Sequence, residues 1–104
     1  MNPSEDAFRA AVSDGGALAA VVVDRETRAV LVGSGEIPNL ARLLDLLLQT
    51  QPEPARELYV GGRERSLYCS VLGSGKAIIL AMPPAASVAL GWALVRHLSG
   101  TVGA

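Results

Sequence analysis

Residues 17–23 and 77–82 are two short runs that are apolar at every position. A strand with one wet face alternates apolar and polar residues, whereas an unbroken apolar strand is buried on both faces. Both runs fall far short of the about 20 residues that cross a membrane. They therefore require the middle of a sheet that is covered on each side, and the rest of the chain has to supply that cover.

Three helices and three further strands can be read from the remainder. Pro3-Ser4 followed by Glu5 and Asp6 is a helix start, with carboxylates near the positive end of the dipole. Phe8, Ala11 and Val12 share one face of that helix, and Asp14-Gly15-Gly16 stops it. After the first apolar run, Asp24-Arg25-Glu26-Thr27-Arg28 is a polar turn. Residues 29–32 return as a strand, closed by Gly33-Ser34-Gly35. Residues 38–50 are the clearest helix, with Leu40, Leu43, Leu44 and Leu47 at helical spacing, and Pro52 and Pro54 follow its end. Residues 57–60 and 66–72 are strands around the Gly61-Gly62-Arg63-Glu64-Arg65 turn. Gly73-Ser74-Gly75 turns into residues 76–82, Pro83-Pro84 breaks that strand, and residues 85–99 form the last helix, capped by Gly100.

The order is α-β-β-α-β-β-β-α. Short turns make the consecutive strands antiparallel. The expected architecture is an α/β sandwich: a central five-stranded, mainly antiparallel sheet, with two helices on one face and one on the other. Half of the residues are hydrophobic and only 18% are charged, so the chain lacks the composition of a disordered segment. Its length fits a single domain, residues 1–104. Nine basic residues against ten acidic ones argue against nucleic-acid binding, where affinity comes from Lys and Arg on phosphates. The lone Cys69 forms no internal disulfide, and an acidic N-terminus is not a signal peptide, so a cytoplasmic protein is expected.

The leucine helix carries more apolar surface than one sheet face can take. With residues advancing about 100° each, Leu40, Leu43, Leu44, Leu47, Leu48 and Leu46 span roughly 200°, against about 100° for an ordinary surface helix. Leu46 is then either a single exposed leucine or part of a second packing surface. The simplest such surface is a two-fold partner helix. The next strand, residues 57–60, falls at a sheet edge, which is a pairing liability unless it is protected or used. A homodimer through Leu43, Leu46, Leu47, Glu57, Leu58, Tyr59 and Val60 would satisfy both.

Catalytic and metal motifs are absent or incomplete. Gly73-Ser74-Gly75-Lys76 lacks the P-loop's earlier glycine and its following Ser or Thr, and it enters a strand rather than a helix. No G-x-S-x-G occurs. His97 reads as a solvent-facing residue of the last helix and Cys69 as a buried structural thiol. One His and one Cys make neither a zinc set nor a catalytic pair. Asp24 and Glu26 are turn residues. Arg63 and Arg65 are a solvated hairpin tip or the rim of a partner site. Gly91 inside the last helix costs about 1 kcal/mol against alanine, which a close helix–sheet approach would justify. No enzyme, metal or cofactor is expected.

Three stretches carry a resemblance: Ala19-Ala-Val-Val-Val-Asp-Arg25; Leu58-Tyr-Val-Gly-Gly-Arg63 with Leu67-Tyr-Cys-Ser-Val-Leu-Gly-Ser-Gly-Lys76; and Ala77-Ile-Ile-Leu-Ala-Met-Pro-Pro84 with Ser87-Val-Ala-Leu-Gly-Trp-Ala-Leu-Val-Arg96. The pattern resembles the Roadblock / dynein light-chain 7 (MglB-like) family, a profilin-like α/β/α sandwich. That resemblance implies a homodimer built on the second helix and third strand. It also implies a regulator or scaffold for a small Ras-like GTPase, in bacteria an MglA-like one. The first turn departs from the family's D-x-x-G, having no glycine after Asp24. The alternative is a small-molecule-sensing profilin-like module, for which Tyr59, Tyr68 and Ser70 are the convergent polar groups.

Overall fold

A computed structural model describes residues 3–48, 57–73 and 75–102. The elements are α1 (Pro3–Ser13), β1 (Ala19–Asp24), β2 (Val30–Ser34), α2 (Leu40–Leu48), β3 (Glu57–Val60), β4 (Ser66–Val71), β5 (Lys76–Met82) and α3 (Val88–Val102). The strands form one antiparallel sheet in the order β2-β1-β5-β4-β3. The two unbroken apolar runs are β1 and β5, paired with each other inside the sheet, as their two-faced burial requires.

Register sorts their side chains by the period of two. Ala20 opposite Leu80 and Val22 opposite Ile78 face α1 and α3, where Phe8, Ala11, Val95 and Leu98 close over them. Val21 opposite Ile79 and Val23 opposite Ala77 face the other way, beneath Ile37 and Leu44. Two helices thus cover one face and α2 covers the other.

The boundaries differ from the sequence reading by one or two residues at β1 and β4, and more tellingly at β2, α3 and α2. β2 continues through Gly33 to Ser34, because Gly33 lies opposite Val21 in the ladder. A Cβ at Gly33 would come within 2.9 Å of Val21 Cγ1, so the glycine serves packing inside the strand rather than ending it. α3 starts later and runs through Gly100 to Val102. It starts at Val88 because the Ser87 hydroxyl accepts the Leu90 N–H at 3.0 Å, an N-cap. α2 starts at Leu40, after Asn39 in the left-handed region at φ 57°. Residues 49 and 50 of the expected helix lie outside the described residues.

The glycine-free first turn is solved by Arg28, which takes φ 64° itself. Asp24 Oδ1 accepts the N–H groups of Glu26 at 2.9 Å and Thr27 at 3.0 Å. Those bonds, Thr27's first, hold the Asp24 carboxyl below its usual range. Arg28 then donates Nε–H to the Arg25 carbonyl and pairs with Asp45, tying the turn to α2.

Candidate functional site

The β3 edge is open, as the sequence order predicts. Tyr59 is 47% and Val60 45% exposed, Glu57 is exposed, and Leu58 is half-buried against the α2-side core. Strand alternation puts Leu58 and Val60, opposite Cys69 and Leu67, on the α2 face, and Tyr59, opposite Tyr68, on the other. Leu43 of α2 is half-buried against the same core as Leu58. The side chains of Leu46 and Leu47 lie outside the described residues. Leu43 and Leu58 thus border the same α2-side core, while Tyr59 lies on the opposite face of the sheet.

Sequence reasoning missed a second open edge. Val30 and Leu31 of β2 are 51% and 48% exposed. The pairing slips between Val22 and Val23, so that Leu31 is left between the partners Val30 and Val32. A bulge of this kind twists an edge away from further pairing. The short strand gave no alternation from which this could be read.

α2 alone cannot cover a five-stranded face, and open clefts remain beside it. One, of about 410 Å³, lies between the start of α2 and the β3–β4 turn. Buried Ile37 and half-buried Leu43 and Leu67 form its floor, and Arg42, Glu64 and Arg65 its polar margin. Arg63 does not line it. Of the two arginines singled out from sequence, Arg65 lines this cleft, and its companion Arg42 comes from a helix that sequence spacing does not link to it.

Tyr59, Tyr68 and Ser70 share the α1/α3 side of the sheet, but the space over Tyr68 is filled. Tyr68 is 1% exposed, with Trp92 set edge-on at a 5.1 Å centroid distance and Tyr59 tilted at 5.1 Å. Gly91 lies directly above, where a Cβ would sit 2.3 Å from Tyr68 Cζ. The helix–sheet approach inferred for Gly91 is therefore real, and Tyr59 and Tyr68 pack against each other and Trp92 rather than opening onto a pocket there.

Cys69 lies beneath α2, and burial pushes its thiol up to about 11. His97 is exposed on α3, across the sheet. The two cannot meet. At pH 8 roughly one thiol in a thousand would be ionised. A thiol-specific chromogenic reagent is therefore expected to leave Cys69 unmodified in native buffer and to react fully in urea; reaction at the rate of a free thiol would mean that α2 does not cover it.

No family model matches the chain, and no curated protein sequence matches it. Solved structures do. The chain superposes on Myxococcus xanthus MglB with a TM-score of 0.80 at 13% identity, covering 95% of this chain and 84% of that one. The gliding protein MglB of Thermus thermophilus gives 0.73 at 17% identity, over 95% and 84%. A Roadblock/LC7 domain from Streptomyces avermitilis gives 0.68 at 16%, over 94% and 93%.

Proposed function

We propose, starting from the Roadblock/LC7 fold that this chain has, that it is a non-enzymatic, homodimeric scaffold that regulates or anchors a small Ras-like GTPase. The observation that carries the dimer is the open β3 edge, where Tyr59 and Val60 are nearly half exposed. An unprotected apolar edge is an invitation to pair. Joining two β3 edges about a two-fold axis would continue the sheet across both protomers. It would lay α2 against its copy, using Leu43, Leu46, Leu47, Glu57, Leu58, Tyr59 and Val60. The roughly 200° leucine arc supports the same arrangement.

The GTPase reading is supported by the sequence resemblance and by the fold shared with MglB proteins, one of them described as a gliding protein. Arg63 and Arg65 are then offered as the partner-facing rim. A scaffold of this kind works through surfaces, in keeping with the separation of Cys69 from His97.

Light scattering tests the dimer. The chain is expected to run at twice 10.8 kDa. Val60→Arg puts a charge on an exposed strand position, so it leaves the protomer folded and is expected to reduce the mass to one chain. A variant mass equal to that of the unaltered dimer would rule out the β3 interface. Co-elution with small Ras-like GTPases from the same organism, lost on Arg63→Glu/Arg65→Glu, tests the partner.

A further inference from the structure

We propose that the cleft between the start of α2 and the β3–β4 turn binds a peptide segment in which an acidic residue lies next to an aliphatic one. The inference rests on the reading of the chain as a binding module and gives that module a ligand chemistry. The cleft is about 410 Å³ and open to solvent. That is room for one or two side chains, whereas a small-molecule pocket encloses most of its ligand.

Its chemistry is mixed in a specific way. Ile37, Leu43 and Leu67 form an apolar floor, suited to a leucine- or isoleucine-sized group. Arg42 stands on the helix side and Arg65 on the turn side, with Glu64 the single carboxylate among the lining residues. Among the described residues the only ion pair is Arg28 with Asp45, so neither cleft guanidinium is neutralised there. Two guanidiniums against one carboxylate leave a local positive excess on a chain whose net charge is −1. Arginine favours planar carboxylates because its donors form a fork that matches their two oxygens. In an open cleft such a bond adds little affinity of its own but discriminates by charge, while the apolar floor supplies burial. The complementary ligand therefore carries a carboxylate to reach Arg42 and Arg65 and an aliphatic side chain to fill the floor. Leu43 also belongs to the proposed α2–α2 contact, so in the dimer the floor left for a ligand is Ile37 and Leu67, with Arg42 and Arg65 at its margin.

The test is selection of a randomised nonapeptide display library on the immobilised full chain. Enrichment of Asp or Glu within a few residues of Leu or Ile is expected. The selected peptide is expected to lose roughly tenfold or more in affinity on Arg42→Glu/Arg65→Glu. Arg42→Gln/Arg65→Gln, which removes charge without adding repulsion, should lose affinity in the same direction, and it serves if the first variant is unstable. Both are expected to keep the dimer mass, and monomeric Val60→Arg is expected to keep peptide affinity. Failure of the cleft is thereby told apart from failure of the dimer. Selection of basic or purely apolar peptides, no enrichment, or affinity unchanged by both double variants would overturn the proposal. So would displacement of the peptide by millimolar inorganic phosphate alone, which would make the cleft a small-anion site.

Discussion

Gly91→Leu is expected to leave the chain unfolded at room temperature, and Gly91→Ala to lower its stability despite improving the helix. Alanine in place of glycine inside a helix is worth about 1 kcal/mol. Here that gain meets a Cβ at 2.3 Å from Tyr68 Cζ and 2.6 and 2.7 Å from its Cε2 and Cε1. The ring has no room to retreat, because Tyr68 is 1% exposed and flanked by Trp92 and Tyr59. Overpacking of a filled core costs about 1–3 kcal/mol and sometimes more. Gly91→Ala should therefore lose up to about 2 kcal/mol net, seen in urea as a lower midpoint at unchanged slope. The leucine has to push α3 off the sheet. An alanine variant more stable than the original would mean that α3 does not rest on Tyr68.

Leu44→Ala is expected to cost about 3 kcal/mol, a large share of the about 5–15 kcal/mol that holds a domain together. Leu44 is wholly buried and inserts from α2 into the core formed by Val21, Val23, Cys69 and Ile79. Truncating it leaves a cavity under the one helix that covers this face. Leu18→Ala makes the control: Leu18 is 44% exposed, so its loss should be small. Because α2 is also proposed to meet its copy in the dimer, Leu44→Ala should bring monomer into the light-scattering mass at low concentration. It should also expose Cys69 to thiol reagents. A loss below about 1 kcal/mol with Cys69 still protected would mean that other residues hold α2 on the sheet.

Much of the fold was legible because its strongest signals are local. Residues 17–23 and 77–82 announce two-sided burial, Leu40 to Leu47 repeat with the helical period, and Pro83-Pro84 ends a strand where the sequence places it. Element ends were less legible because they depend on neighbours. Gly33 reads as a breaker, yet it is a strand residue chosen for the space Val21 occupies. Gly100 reads as a cap but continues α3. Arg28 adopts a conformation usually left to glycine, held by its bonds to the Arg25 carbonyl and Asp45, which no local pattern announces.

The candidate surfaces divide in the same way. The β3 edge follows from strand order and short turns, and Gly91 betrays a close approach through its composition alone. What Gly91 approaches, how β2 is bulged, and the meeting of Arg42 with Arg65 over Ile37, Leu43 and Leu67 follow from contacts between distant parts of the chain. Which segments are buried on both faces is readable from the chain alone, because an unbroken apolar run is a property of consecutive residues. Which side chains share a cleft is settled by the folded packing. That depends on how helices and strands stack across the sheet, and stacking brings together residues that have no fixed spacing along the chain.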